Sequence, residues 1–116
     1  MSIVSPLDAE TAPITVRQFF VNGDPGPLPS TLAHVPDLMK TALPFFGTTL
    51  GESGIDLRTK EIVIVRTSYL QQCHYCINTH TMVAFKAGLT KEELLGLRNQ
   101  ADPTCAFEAP HEKALL

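Results

Sequence analysis

The feature that most constrains this chain is the stretch Cys73-His74-Tyr75-Cys76-Ile77-Asn78-Thr79-His80, which holds two of its three cysteines and two of its four histidines. In a helix each residue turns by about 100°, so Cys76 lies about 60° and His80 about 20° from Cys73 around the axis. The spacing therefore predicts both thiols and the imidazole on one stripe of a helix covering residues 72–87. A thiol pair beside a base is typical of a redox or nucleophilic site.

Length and composition narrow the class of protein. The chain has 116 residues, of which 44% are hydrophobic, and this predicts one globular domain. Its net charge of −3 gives no basic surface for nucleic acid. No apolar run reaches the ~20 residues of a membrane span, and the N-terminus lacks the basic start of a secretory signal. We therefore expect a cytoplasmic protein with no membrane partner, in which a CxxC pair serves catalysis or metal binding.

The breaks along the chain predict an all-α domain in three parts. Residues 1–35 are rich in proline and are expected to be irregular, with a short helix rather than a strand at 14–21. Residues 36–100 form the helical core that carries the CxxC motif. Residues 101–116 begin with another break, and 111–116 resemble a helix that has only begun. Either the chain stops early there, or its last leucines dock on a neighbour.

Within the core, capping signals set the predicted helix boundaries. Pro36 suits the first position of a helix, which Pro44 should bend. Asp56 is the expected N-cap of a helix over 57–71, although its Ile-Val run has strand propensity. Gly88 suits the left-handed position that ends the cysteine helix. Residues 90–93, Thr-Lys-Glu-Glu, form a capping box for a helix that continues to about residue 99.

The chemistry of the cysteine stripe assigns a role to each residue. A helix N-terminus and a nearby imidazole both favour a thiolate, so we assign Cys76 as the attacking thiol and Cys73 as the resolving thiol. A sulfenic acid on Cys76 would condense with Cys73 to a disulfide, and we expect that bond to distort the first helical turn. Glu61 lies beside an apolar run that predicts its burial, and a buried carboxylate needs a partner. His80 would complete a Glu–His–Cys proton relay.

Three segments together resemble a known family. They are Leu57-Arg58-Thr59-Lys60-Glu61, Cys73-x-x-Cys76-x-x-x-His80 and Ala87-Gly88-Leu89-Thr90-x-x-Glu93. This set is similar to the alkylhydroperoxidase, AhpD-like branch of the carboxymuconolactone decarboxylase family, and a looser similarity extends upstream through residues 34–38. Glutamate, CxxC and histidine at these spacings are specific to the branch, whereas a CxxC alone would not be.

The resemblance implies an AhpD-like all-α fold that assembles as a homo-oligomer, often a trimer or hexamer. It implies reduction of small hydroperoxides without metal, flavin or other cofactor, using a thiol reductant that the sequence does not identify. In this interpretation Cys76 is peroxidatic, Cys73 resolves it, and Glu61 with His80 relays the proton. Tyr75 departs from the best-known members, which have histidine there. The family's decarboxylases do not use this cysteine pair, which makes a lactone lyase a lesser alternative.

The sequence is also compatible with two further functions. The same cysteines would serve a dithiol–disulfide exchange protein or a redox sensor with no peroxide substrate of its own. A zinc-stabilised interaction module is the other alternative. Its ligands would be Cys73, Cys76 and His80, with Glu61, Cys105 or His111 as the fourth.

Overall fold

The computed structural model describes residues 3–116 as two compact units, one ending at Thr49 and the other spanning Leu50–Leu116. All regular elements of the described residues are helices, as the sequence predicts. They are a 3₁₀ helix over Ile14–Phe20 followed by α1 (Pro27–Leu32), α2 (Pro36–Leu50), α3 (Leu57–Leu70), α4 (His74–Lys86), α5 (Lys91–Gly96) and α6 (Pro110–Lys113). No helix in this part of the chain is long and apolar enough to cross a membrane.

The first unit packs around a small apolar core. Its buried members are Ala12, Val16, Phe20, Ala33 and Met39. The predicted short helix at 14–21 is present as the 3₁₀ helix. The expected irregular segment contains one helix that the prediction missed, α1, because Gly26 takes a φ of 94° and Pro27 then occupies a first helical position. Residues 1 and 2 of that segment lie outside the described residues.

The second unit is organised around the packing of α3 against α4. Its buried core comprises Ile62, Val65, Ala84, Leu89, Leu94, Leu97 and Phe107. The Asp56 carboxylate accepts a hydrogen bond of 2.9 Å from the Thr59 amide and caps α3, as predicted. Along α3, Ile62 and Val65 are buried while Val63 is exposed. This burial follows the helical period rather than strand alternation, so the core position of the β-branched side chains overrides their strand propensity.

The turn from α4 to α5 has the predicted capping geometry. Gly88 has a φ of 94°, and the amide of Leu89 donates to the Ala84 carbonyl across 3.0 Å. The Thr90 hydroxyl and the Glu93 carboxylate form the predicted capping box. Helix α5 ends at Gly96 rather than near residue 99. An added Cβ at Gly96 would lie 2.9 Å from the Cβ of Ala106, so the following loop packs directly on this helix.

Arg58 links α3 to the two later helices. Its Nε donates to Glu112 across 2.7 Å, one terminal nitrogen donates to Glu93, and the other reaches the Gly88 carbonyl across 2.8 Å. Burial opposes ionisation of Glu93. The hydrogen bonds from Arg58 and the Thr90 amide outweigh it and hold the Glu93 pKa below its usual range. These contacts also place α6, which begins at Pro110.

The chain's last residue packs against the core of its own unit. Leu116 contacts the buried cluster, while Leu115 stays 38% exposed. Leu116 is thus partly covered within its own unit, and the docking of the last leucines on a neighbour stays a prediction. Because α6 is only four residues long, its anchoring comes from Glu112 and Leu116 rather than from helix length.

Candidate active site

Cys73 occupies the N-cap of α4, one residue outside the helix. Its φ and ψ are −79° and 89°, and the preceding Gln72 has a φ of 54°, so neither residue is helical. The prediction that the helix starts near residue 72 is therefore wrong. The first amides of a helix lack intrahelical acceptors, and the Cys73 sulfur accepts from the Cys76 amide at 3.3 Å. The Cys73 amide in turn donates to the Ser68 carbonyl in α3 at 3.0 Å.

The two cysteines form a disulfide that leaves the first turn of α4 intact. Their Cα atoms are 5.3 Å apart. The amide of Ile77 still donates to the Cys73 carbonyl at 2.9 Å, which is the first hydrogen bond of the helix. The predicted distortion of this turn is therefore wrong, because it assumed helical dihedral angles at Cys73. An N-cap residue is free to bring its sulfur towards the third helical position, where Cys76 lies.

Glu61 and His80 face each other across the packed helices α3 and α4. The Glu61 side chain is only 1% exposed, and its two carboxylate oxygens lie 3.0 and 3.2 Å from Nδ1 of His80. A carboxylate accepts hydrogen bonds, so this contact selects the tautomer in which Nδ1 donates to Glu61. Burial raises the pKa of the Glu61 carboxyl, and the neighbouring His80 opposes this rise.

The pair lies one helical turn from Cys76. His80 and Cys76 are four residues apart on α4, so they share one face of the helix. Cys76 is the third residue of α4, where the helix dipole stabilises a negative charge. The structure thus pairs Glu61 with His80, one turn of α4 beyond Cys76. This arrangement can take a proton from a thiol and hold the resulting thiolate.

The ligands of the zinc alternative do not assemble. No group of three or more His, Cys, Asp or Glu side chains among residues 3–116 is arranged to hold a metal ion. Cys105 is a free, exposed thiol in the loop after α5, and His111 lies exposed on α6. The two cysteines of the motif are bonded to each other, whereas metal ligation uses thiolates.

A cleft beside the disulfide was not predicted from the sequence. It has a volume of about 530 Å³ and is lined by Tyr69, Gln72, His74, Ile77 and Arg98. The spacing of His74 and Ile77 in the sequence predicts that they share a face of α4. The position of Arg98 in this cleft could not be predicted from the sequence, because it depends on how the end of α5 packs beside Tyr69.

The fold and site define a helical protein with a CxxC disulfide at a helix N-terminus and a buried glutamate–histidine pair beside it. The family model "Carboxymuconolactone decarboxylase family" matches residues 36–115, well over half of the chain. The chain therefore belongs to the carboxymuconolactone decarboxylase family. The family resemblance inferred from the three sequence segments is confirmed.

Two curated relatives are similar to parts of the chain. An uncharacterized protein, YdfG of Bacillus subtilis (strain 168), is 37% identical over 65 residues, covering 56% of this chain and 43% of the relative. Alkyl hydroperoxide reductase AhpD of Mycobacteroides abscessus is 37% identical over 46 residues, covering 40% of this chain and 26% of the relative. The chain thus spans less than half the length of either relative. No solved structure matches it.

Proposed function

We propose that this protein is a thiol-dependent peroxidase that reduces small hydroperoxides through a Cys73–Cys76 dithiol–disulfide cycle. The observation that carries the proposal is the hydrogen bond between Glu61 and Nδ1 of His80, one helical turn from a CxxC disulfide. A structural disulfide does not require a buried carboxylate that orients an imidazole, whereas a thiol nucleophile that needs a base does. The similarity to an alkyl hydroperoxide reductase AhpD supports the same activity.

In the first step the dithiol form meets the hydroperoxide. Nε2 of His80 accepts the proton of the Cys76 thiol, and Glu61 stabilises the imidazolium through Nδ1. The thiolate attacks the outer oxygen of the hydroperoxide, so the O–O bond breaks and Cys76 becomes a sulfenic acid. The alkoxide leaves as the alcohol with the proton that His80 returns.

In the second step Cys73 resolves the sulfenic acid. The Cys73 thiol loses its proton and the thiolate attacks the Cys76 sulfur, so the S–O bond breaks and the hydroxide takes up that proton and leaves as water. The product is the disulfide present in this structure. The cycle has then moved two electrons from the thiol pair to the peroxide, and an external thiol must return them.

The resemblance to the AhpD-like branch also leads us to propose a cytoplasmic homo-oligomer, a trimer or hexamer. A stripe of exposed apolar side chains on α4 supports a contact with another copy: Tyr75, Met82 and Phe85 are 43%, 61% and 60% exposed. These residues are spaced for one side of the helix. Isolated apolar side chains are common on surfaces, and three of them on one side of a helix favour an interface.

The experiment is a thiol titration of the reduced protein before and after one equivalent of hydroperoxide. We expect a rapid loss of two thiols and of the mass of two hydrogens, mapped to Cys73–Cys76. Cys76→Ser should abolish the reaction, Cys73→Ser should leave a sulfenic acid on Cys76, and the control Cys105→Ser should react like the parent. Unchanged turnover in Cys76→Ser would refute the proposal. Thiols that resist peroxide but exchange rapidly with a disulfide donor would indicate an exchange protein instead.

A further inference from the structure

The cleft beside the disulfide contains a fixed cation. Arg98 stacks over the ring of Tyr69, with its guanidinium carbon 5.1 Å from the ring centroid, and its Nε donates to the Tyr69 hydroxyl. Tyr69 itself packs against the buried core of the second unit. Two contacts therefore hold the guanidinium in place, and less ordering is needed when a ligand binds.

The outer part of this guanidinium has no protein partner among the described residues. Its two terminal nitrogens donate no hydrogen bond there, and no carboxylate of residues 3–116 lies within ion-pair distance. Arg58 contrasts with it, because that side chain binds two carboxylates and a carbonyl. A guanidinium with free terminal nitrogens matches the two oxygens of a carboxylate.

The cleft is lined by chain neighbours of the two cysteines, mostly those of Cys73. Both chain neighbours of Cys73, Gln72 and His74, line the cleft, whereas Ile77 is the one neighbour of Cys76 that does. The cleft is present in the disulfide form of the protein. In the proposed cycle that form reacts with the reductant, while the hydroperoxide reacts with the dithiol form. The cleft is therefore assigned to the reductant.

We propose that this cleft binds the carboxylate of a small thiol that reduces the Cys73–Cys76 disulfide. The inference rests on the proposed redox cycle and identifies the chemical class of its electron donor. Arg98 binds the carboxylate, and Tyr69 with Ile77 supplies an apolar floor for the carbon chain. Because the whole chain carries a net charge of −3, a preference for an anionic thiol must come from this local cation.

The reduction takes two exchange steps. The thiolate of the bound thiol attacks the Cys73 sulfur, the disulfide breaks, and Cys76 leaves as a thiolate at the N-terminus of α4. A second small thiolate then attacks the small-thiol sulfur of the mixed disulfide, and Cys73 leaves. Two small thiols are oxidised to one small disulfide, and their two electrons and two protons end on the cysteine pair.

The test measures reduction of the purified disulfide form without hydroperoxide, so its outcome is independent of whether peroxide oxidises the dithiol. The probes are 3-mercaptopropionate and its neutral amide, with rates compared per thiolate and read as free cysteines by mass. We expect the carboxylate to react about tenfold faster with the parent protein, equivalent to about 1.4 kcal/mol. Salt should reduce this preference, because the guanidinium is exposed.

Variants distinguish carboxylate binding by Arg98 in the cleft from a general effect of positive charge on the protein surface. Arg98→Gln should abolish the preference, Arg98→Lys should keep part of it, and Lys91→Gln removes a cation on α5 as the matched control, which should keep all of it. A preference that survives in Arg98→Gln, or that is absent or independent of salt in the parent protein, would overturn the proposal. The salt measurement needs no variant and decides the matter if the Arg98 variants fold poorly.

Discussion

Replacing Glu61 by Gln tests the proton relay with a side chain of nearly the same shape. The carboxylate oxygens lie 3.0 and 3.2 Å from Nδ1 of His80, so they fix the proton on Nδ1 and leave Nε2 as the base. An amide carries no charge to stabilise the imidazolium, and its NH₂ group can donate to Nδ1, which moves the ring proton to Nε2. The variant should therefore lose base catalysis while it keeps the packing.

The expected loss is large in activity and small in stability. General base catalysis contributes about 10²–10⁴-fold, so oxidation of Cys76 at neutral pH should slow by about 100-fold or more. The free energy of unfolding should change by no more than about 1 kcal/mol, because one neutral hydrogen bond replaces a charged one and the buried side chain keeps its volume. Glu61→Ala is the contrasting variant, which loses the relay and also leaves a cavity.

The pH dependence has a definite sign. Burial raises the Glu61 pKa, so the acid form contributes stability below the ordinary carboxyl pKa, and this contribution is lost as pH rises through the raised value. Glu61→Gln should therefore gain stability relative to the parent as pH rises. Its rate defect should narrow above the ordinary thiol pKa of about 8.5, where the thiolate forms without a base.

The assay is stopped-flow oxidation of the reduced protein by a hydroperoxide, with denaturant unfolding of the same samples. A Glu61→Gln variant that oxidises within about threefold of the parent at neutral pH would fall outside the range of general base catalysis and refute the relay. An equal rate defect at all pH values would also contradict it. In that case Glu61 would act on packing rather than on the proton.

Other predictions concern the frame that holds the site. Arg58→Leu removes the cation that pairs with two largely buried carboxylates, although Glu93 keeps the hydrogen bond from the Thr90 amide. The variant should lower the free energy of unfolding by about 3–5 kcal/mol at neutral pH, measured by urea denaturation. Because the Glu93 pKa is depressed, that stability is present above the ordinary pKa of about 4.3 and is lost as pH falls through the depressed value, so parent and variant should converge in acid. A gap that persists in acid would contradict the ion-pair explanation. Gly96→Ala gains helix propensity but sets its Cβ 2.9 Å from the Cβ of Ala106. Overpacking of about 1–3 kcal/mol should outweigh the gain of about 1 kcal/mol, and a raised melting temperature would contradict this.

The sequence predicts those parts of this fold whose signals are local. Asp56, Gly88 and Thr90 set helix ends through contacts with residues a few positions away, and all three boundaries are found as expected. The contact of Glu61 with His80 spans 19 residues, and it was inferred from burial and the need for a partner. This contact could be inferred because the sequence offers few other partners for a buried Glu61 or for His80.

Other features depend on distant packing and were missed for that reason. Arg58 reaches Glu112 across 54 positions, and Arg98 reaches Tyr69 across 29. The chain contains many carboxylates and several aromatic rings with which an arginine could pair. No local sequence pattern shows which of them is the partner of Arg58 or Arg98. The start of α4 was predicted two residues too early, since a cysteine at the N-cap gives a weaker start signal than serine, threonine or aspartate.

The N-cap position of Cys73 decides how the redox cycle acts on the backbone. With Cys73 at the N-cap, the Ile77 amide bonds to the Cys73 carbonyl and the Cys73 amide bonds to Ser68, and neither bond involves a sulfur. Opening the disulfide should therefore leave both bonds in place. In hydrogen exchange, the protection of the Ile77 and Cys73 amides should agree within about tenfold, or about 1.4 kcal/mol, between the dithiol and disulfide forms. The Ala84-bonded amide of Leu89 serves as the internal reference at the far end of α4. A selective loss of protection at Ile77 on reduction would show instead that the disulfide holds the first turn. The cycle would then include a local unfolding step.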